Sequence, residues 1–230
     1  MVSGYKKIRL KFTKTGNAKF ISHLDLDRTM KSALTRAKVT VEHTHGYNPR
    51  PYLVFSLPAS VGTESVCEFL DIKIPVEDGF AGIPERLNDN LPPDIRVTDA
   101  YEPQSDFKEI KYAGYELRIV SPDIDGGSAD RITKLFEGPV VIEKRTKKTE
   151  SGLMDFDISP YIKSMAASYE KDGSLKIETV VSADNATYIN PEYIIKAICK
   201  YLTLDLSDPL TCLYTVMRTA VYGSGEEKFI

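Results

Sequence analysis

The stretch that decides the fold is KKIRLKFT, residues 6–13, in which basic and apolar side chains alternate. In an extended chain the apolar residues share one side and the basic residues the other: Ile8, Leu10 and Phe12 against Lys7, Arg9 and Lys11. This pattern predicts a half-buried strand with a basic exposed face. Ser22 then provides an N-cap, and the apolar residues after it recur at helical spacing, which predicts an amphipathic helix over residues 23–37.

Working outward, the pattern predicts the same order of elements twice. In the first half we expect a second strand at 38–43, extended segments at 52–57 and 66–74, a short helix at 84–90 and a strand at 95–101. In the second half we expect strands at 112–120, 140–145, 175–181 and 212–222, with helices from Ser128 and from Asn190-Pro191. The sequence therefore predicts an α+β fold of two successive ferredoxin-like βαββαβ units, residues 1–104 and 105–230, packed as one body.

The composition is typical of a soluble globular protein. The chain has 230 residues, of which 42% are hydrophobic and 27% charged, and its three cysteines are widely spaced, which fits free thiols in a reducing compartment. No apolar run has the length of a membrane helix, and the first residues lack the apolar core of a signal peptide. We therefore expect a cytoplasmic protein that does not associate with membranes.

The net charge of −3 hides a strong local imbalance. Residues 1–50 contain eleven basic and three acidic side chains, a net charge of +8, whereas residues 51–110 contain four basic and twelve acidic ones, a net charge of −8. Local basic density attracts phosphate, so the N-terminal segment is a candidate binding region for nucleic acid.

The common catalytic motifs are absent from the sequence. There is no phosphate-binding GxxxxGK[ST] loop, no GxGxxG, no GxSxG and no HExxH, and the cysteines form neither CxxC nor CxxxCxxC. We expect no bound metal or cofactor. The three histidines, His23, His43 and His45, remain weak candidates for acid–base catalysis, because His43 and His45 would share one face of a strand.

Basic residues interleaved with tyrosines favour RNA binding. One group consists of the N-terminal strand with Lys14, Lys19, Arg28 and Arg50, and the other is KRTKK, residues 144–148. Tyr47, Tyr52 and Tyr161 accompany them, and stacking rings beside cations are how single-stranded or looped RNA is held. Alternatively, these charges only keep exposed strands soluble.

The sequence contains a set of distinctive short segments: KFTKTG (11–16), FISHLDL (20–26) with Arg28, HGYNPRP (45–51), FSLP (55–58), VGTES (61–65), Lys147-Lys148, DISPYI (157–162) and Arg218-Thr219. Together they resemble the motifs of a bacterial family of unknown function, the radical-SAM-associated (radical-SAM-linked) proteins. Members of this family are fused to, or encoded beside, a radical SAM protein. The resemblance implies that this chain, which lacks a cluster-binding motif, is the separate companion of such an enzyme and presents tRNA or rRNA to it.

The rigid loop Gly46–Pro51 and the helix N-terminus at His23 would form a phosphate-sized pocket if they face each other. The predicted function is thus a non-catalytic, RNA-binding companion of a radical SAM enzyme. The predicted nucleic-acid-binding residues are Lys14, Lys19, His23, Arg28, Tyr47, Asn48, Arg50, Lys144, Arg145, Lys147 and Lys148. Two alternatives stay open: an RNA-processing enzyme that uses His23, His43 or His45, and an interaction module that docks a partner through the acidic segment 64–109, including Glu64, Glu68 and Asp71.

Overall fold

The computed structural model describes residues 4–146, 152–184, 187–225 and 227–229, and these confirm the α+β class. The chain divides into two compact units. Unit 1 runs to Glu109 and includes Phe229, and unit 2 runs from Ile110 to Lys228. The expected joint at 102–106 therefore lies within unit 1, just before its end. In the described part of the chain, no helix is long and apolar enough to cross a membrane.

Unit 1 has the element order βαββαβ. Its elements are β1 (Tyr5–Lys14), a 3-10 helix (Gly16–Phe20), α1 (His23–Arg36), β2 (Leu53–Phe55), β3 (Thr63–Pro75), α2 (Ile83–Asn88) and β4 (Ile95–Tyr101), followed by a 3-10 turn at Phe107–Glu109. The strand order is β4-β1-β3-β2, and every pair is antiparallel.

The apolar side of β1 behaves as its alternation predicts. Ile8, Leu10 and Phe12 are fully buried and share a core cluster with Leu26 and Met30 of α1. Burying a side chain of this size contributes about 1.5–3 kcal/mol. The hydroxyl oxygen of Ser22 caps α1 by accepting the backbone N–H of Asp25, so the predicted start of this helix is confirmed.

The predicted basic exposed face of β1 is wrong at Arg9, which is fully buried, and Lys14, a predicted nucleic-acid-binding residue at the end of the strand, is buried as well. Asp71 lies opposite Arg9 in the antiparallel register of β1 and β3, and its carboxylate accepts two guanidinium hydrogen bonds of 2.7 and 3.0 Å. The Arg9 guanidinium also lies over the rings of Phe107 and Phe229, 4.2 and 4.9 Å from their centroids. A partner that is distant in the sequence thus turns an apparent surface arginine into a core residue.

The strand predicted at 38–43 is also wrong. Lys38 has a φ of +53°, and the hydrogen bond from Val39 N to Leu34 O closes the end of α1. Val39 and Val41 are nevertheless buried, so the apolar alternation reflects core packing without strand pairing. Within this segment only an isolated bridge between His43 and Pro51 is formed among the described residues.

Unit 2 contains a hairpin that the expected order lacks. Its elements are β5 (Tyr112–Val120), α3 (Ser128–Leu135), β6 (Val141–Arg145), β7 (Leu153–Asp157), a 3-10 turn (Ser159–Tyr161), β8 (Ile162–Tyr169), β9 (Leu175–Ser182), α4 (Glu192–Leu202) and β10 (Leu213–Tyr222). The main sheet has the antiparallel order β10-β5-β9-β8, while β6 and β7 pair only with each other in the described structure. Assignment of the two units to the ferredoxin-like fold stays a prediction.

The buried stripe of α4 is largely as predicted. Ile194, Ala197 and Ile198 are fully buried, whereas Tyr201, which we also expected in the stripe, is exposed. In β5 and β9 the buried positions alternate, with Leu117 and Ile177 inward. The positions between them form the other face of the sheet.

Candidate nucleic-acid interface

Among the described residues, no hydrogen bond or ring contact joins His23, His43 and His45 to one another. His23 is the first residue of α1, and its ring packs edge-on against Phe55 at a centroid distance of 5.0 Å. The Nδ1 atom of His43 lies 3.0 Å from the carbonyl oxygen of Val41, and His45 is exposed. Because residues 38–43 are not a strand, the reason for placing His43 and His45 on one face is lost. The described residues contain no group of three His, Cys, Asp or Glu side chains that could hold a metal.

The loop Gly46–Pro51 is closed on itself. Thr44 N donates to Arg50 O at 2.8 Å, and Arg50 N donates to the Thr44 hydroxyl at 3.1 Å. Tyr47 and Asn48 are exposed, Tyr47 completely. Among the described residues, no hydrogen bond, ion pair or ring contact joins this loop to His23, so the predicted pocket between them stays a prediction.

Lys14 and Lys19 hold neighbouring segments of unit 1 together. The Lys14 ammonium lies 3.4 Å from Ala59 O, and that of Lys19 lies 3.7 Å from the carboxylate of Glu64. Glu64 also accepts the backbone N–H of Gly16 at 2.9 Å. These signature residues therefore stabilise the local structure, whatever else they bind.

Ion pairs within the described part of unit 1 compensate at least five of the eleven N-terminal basic side chains: Lys7, Arg9, Lys19, Arg28 and Lys31. Arg9 and Lys7 pair with Asp71, and Lys7 also approaches Asp106 at 3.7 Å. Outside β1, Arg28 pairs with Asp25 at 3.3 Å. Of the acidic residues named for the alternative docking segment, Glu68 and Asp71 are buried and Glu64 is paired with Lys19.

In unit 2, by contrast, cations and rings meet at a surface. The ammonium of Lys144 on β6 lies 4.7 Å from the ring centroid of Phe156 and 5.8 Å from that of Tyr193. Tyr161 stacks on Phe156 with centroids 5.3 Å apart, and Lys196 lies 5.5 Å from the Tyr193 centroid. We call this surface the hairpin–α4 surface: Lys144, Arg145, Phe156, Tyr161, Tyr193, Lys196 and Lys200.

A cleft of about 550 Å³ opens next to Lys196, the lysine that lies over the Tyr193 ring. It is lined by three basic side chains and one acidic side chain, with Ile142 and Leu153: Arg145, Lys196, Lys200 and Glu143. Within the described parts of the chain, none of the cations of the hairpin–α4 surface forms an ion pair. The ammonium of Lys200 donates to the carbonyl oxygen of Val141 at 2.9 Å, which leaves its charge uncompensated.

Asp157 and Ser159 fix the geometry of the hairpin–α4 surface. The Asp157 carboxylate accepts hydrogen bonds from the N–H and the hydroxyl of Ser159, at 3.0 and 2.7 Å, and from Val140 N at 3.2 Å. The Ser159 hydroxyl oxygen also lies 3.0 Å from Gly138 O and accepts the backbone N–H of Val140 at 2.7 Å. The hydrogen bonds from Ser159 lower the pKa of Asp157. This network ties the start of β6 to the segment that carries Phe156 and Tyr161.

Sequence reasoning found part of this surface and missed the rest. Of the predicted residues, Lys144 and Tyr161 both contact Phe156, and Arg145 lines the cleft, whereas Lys147 and Lys148 lie outside the described residues. Tyr193, Lys196 and Lys200 were missed, although their spacing of three and four residues places them on one side of a helix. Phe156 carried no comparable signal, because β7 was not predicted.

The cysteines add no nucleophile to this surface. All three are free, Cys67 and Cys212 are buried, and burial raises the pKa of the Cys199 thiol. A raised pKa disfavours the reactive thiolate.

Comparison with known proteins identifies a family whose description names no activity. A family model described as "Uncharacterized protein conserved in bacteria (DUF2344)" matches residues 7–191. No curated protein matches the chain. One solved structure found by structural search is that of a protein assigned as a glycine cleavage system transcriptional repressor. It shares 11% identity over 94% of this chain and 99% of that chain, with a TM-score of 0.23.

Proposed function

Since the chain belongs to the uncharacterised bacterial family DUF2344, whose description names no activity, we propose a function from the site itself: the protein binds single-stranded or looped RNA through the hairpin–α4 surface and is not itself a catalyst. The observation that carries this proposal is the contact of uncompensated cations with half-exposed aromatic rings. Rings on which bases stack, beside cations that bind phosphates, are the two components of such sites.

Each component has a specific place in the proposal. The exposed side chains of Arg145, Lys196 and Lys200 around the cleft attract successive phosphates. The stacked pair Phe156 and Tyr161 offers a π surface that a base extends. Because Asp157 and Ser159 fix the hairpin, little conformational entropy is lost when RNA binds.

The proposal includes a partner enzyme. The sequence motifs that resemble radical-SAM-associated proteins support a role in which this chain presents tRNA or rRNA to a separate radical SAM protein in the cytoplasm. Anaerobic affinity purification of the tagged chain is the test of this part. We expect a protein with a CxxxCxxC motif to co-purify in stoichiometric amount, and its absence would contradict the partnership while leaving RNA binding unaffected.

RNA binding is tested with a labelled uridine dodecamer in a fluorescence anisotropy titration. We expect the double variant Lys196→Gln/Lys200→Gln to weaken binding by about tenfold or more, because two phosphate contacts of about 1 kcal/mol each are lost. The matched control is Lys134→Gln/Lys171→Gln, which removes two exposed lysines elsewhere in unit 2. Equal affinities of the two double variants would contradict the proposal.

A further inference from the structure

Unit 2 has a second concave site, on the sheet face opposite the buried side chains of β5 and β9. Two adjoining cavities of about 300 and 310 Å³ share Ser164, Val180 and Tyr222 as lining residues. Each is at the lower end of the size range of ligand pockets. We call these two cavities together the sheet groove. It shares no lining residue with the hairpin–α4 surface.

The floor of the sheet groove is an aromatic platform. A Cβ atom on Gly114 would lie 3.4 Å from the Tyr222 ring and 3.4 Å from the Thr219 hydroxyl, so the ring of Tyr222 lies over the bare backbone of Gly114. Gly114 has no positive φ, and a Cβ atom there would make contacts close to ordinary van der Waals distances. The absence of a side chain at Gly114 leaves the Tyr222 ring next to bare backbone at the floor of the groove.

One edge of the groove carries a pair of carboxylates. Glu116 and Glu178 are direct cross-strand partners in β5 and β9, and both line the groove. The ammonium of Lys176 approaches one oxygen of each, Oε2 of Glu116 at 3.5 Å and Oε1 of Glu178 at 3.2 Å. These contacts raise the pKa of Lys176, first through the hydrogen bond to Glu178. Lys176 thereby holds the two carboxylates close together through one oxygen of each, Oε2 of Glu116 and Oε1 of Glu178.

The other end of the groove is cationic and aromatic. The ammonium of Lys163 lies 4.3 Å from the ring centroid of Tyr112, and both residues line the first cavity. Lys163 occupies the irregular position between Ile162 and Ser164, where the pairing of β8 with β9 shifts. Such bulges redirect a side chain. The groove therefore combines a π platform, hydrogen-bond acceptors at one end and a positive charge at the other.

We infer that the sheet groove binds a guanine nucleotide, with the base on Tyr222, its N1–H and N2–H donors toward Glu116 and Glu178, and its phosphate toward Lys163. Guanine is the base that presents two adjacent N–H donors on its Watson–Crick edge, and carboxylates only accept hydrogen bonds. Since the nucleotide would be part of the bound RNA, this inference rests on the proposed function. A free nucleotide offers the same chemistry, and the experiment separates the two sources.

The site is tested first with free nucleotides, by calorimetry and by methyl resonances of Val180 and Ala166. Guanosine monophosphate is expected to bind saturably and to shift both resonances. Inosine monophosphate lacks the N2 amino group, and we expect it to bind about tenfold more weakly. Equal binding of the two nucleotides would overturn the assignment of the base.

Variants of the full chain locate the contacts. Glu116→Gln and Glu178→Gln should each lower the affinity for guanosine monophosphate by about tenfold, because a charged hydrogen-bond acceptor is lost. Tyr222→Leu should lower this affinity to a similar extent, because the ring on which the base stacks is removed. The controls are Glu170→Gln and Tyr169→Leu, which lie on the same sheet region but do not line the groove. Binding that persists unchanged in Tyr222→Leu, with a native circular dichroism spectrum, would contradict the inference.

The RNA arm uses the uridine dodecamer with and without one central guanosine. A guanosine that raises the affinity in the wild type but not in Glu178→Gln supports RNA as the source, even where the free nucleotide binds too weakly to measure. If the all-uridine RNA binds and neither guanosine substitution nor the free nucleotide has an effect, the groove is not a guanine site and the proposed function stands. If guanosine monophosphate binds but no RNA does, the groove stands as a free-nucleotide site and the proposed function falls.

Discussion

Gly16 adopts a φ of +53°, and the carboxylate of Asp94 occupies the space that a side chain there would need. A Cβ atom on Gly16 would lie 2.8 Å from Asp94 Oδ1, and the other oxygen of the same carboxylate accepts the N–H of Asn17 at 2.9 Å. The glycine thus allows the turn after β1 to close against the segment before β4.

Replacing Gly16 by Ala should destabilise the protein more than the same change at Gly62. Both positions have positive φ, but nothing lies within 4 Å of a Cβ atom at Gly62. We expect Gly62→Ala to cost about 1–2 kcal/mol through backbone strain. Gly16→Ala should cost about 1 kcal/mol more, because Asp94 must move and its hydrogen bond to Asn17 is weakened. Urea unfolding measures both free energies, and equal values would show that the Asp94 contact has no effect.

Arg9 and Asp71 form a buried pair whose partners are costly to separate. Replacing Asp71 by Leu leaves the guanidinium of Arg9 without its carboxylate between two aromatic rings, and we expect a loss of about 3–5 kcal/mol. The double variant Arg9→Met/Asp71→Leu removes both charges and should recover most of that loss. Unfolding in guanidinium chloride compares the three proteins. A double variant as unstable as the single one would mean that packing, and not the charge, is lost.

At the scale of elements, the β6–β7 hairpin depends on the ionised form of Asp157. Its pKa is lowered, so its contribution to stability is present above the ordinary carboxyl pKa of about 4 and is lost as the pH falls through the lower folded value. We expect Asp157→Asn to be less stable than the wild type at pH 7 and the difference to shrink steadily below about pH 4. Urea midpoints at several pH values measure it. Asp155→Asn, an exposed change on the same strand that removes none of these hydrogen bonds, is the control.

Elements with a local signal could be predicted, and those defined by distant partners could not. β1 and α1 follow from alternation and from the Ser22 cap, which the residues themselves show. β8 escaped prediction because its residues are mostly small or polar and none is fully buried, as is typical of an edge strand.

In the candidate site too, some residues could be predicted from the sequence, but their contacts could not. Lys144 and Tyr161 could be found as a cation and a ring in the sequence, but their contact runs through Phe156 on the unpredicted β7. The burial of Arg9 likewise needs Asp71, 62 residues away in the sequence. Composition indicated the kinds of residue that bind RNA, and only the tertiary structure separates cations that are compensated from those that are not.

At the scale of the whole molecule, charge is partitioned differently from what the sequence order suggests. The net charge of +8 on residues 1–50 and the net charge of −8 on residues 51–110 both lie in unit 1, so their sum is zero. The antiparallel register sets Arg9 opposite Asp71, and Lys11 opposite Asp99. Cross-strand pairs of opposite charge stabilise a sheet. Pairing within unit 1 thus accounts for part of the basic N-terminal segment, and residues 111–230 carry the remaining net charge of −3.

This distribution of charge predicts which protein cations displace counterions from the RNA phosphates on binding. In a salt series with the uridine dodecamer, the slope of log K against log salt should fall in magnitude by about 0.7 for each phosphate contact removed. We therefore expect Lys196→Gln/Lys200→Gln to lower it by about 1.4. Arg28→Gln/Arg50→Gln, which removes two exposed arginines of unit 1, should leave the slope unchanged. The reverse result would place the RNA on the N-terminal loop Gly46–Pro51 and would make the ring and lysine contacts of the hairpin–α4 surface purely structural.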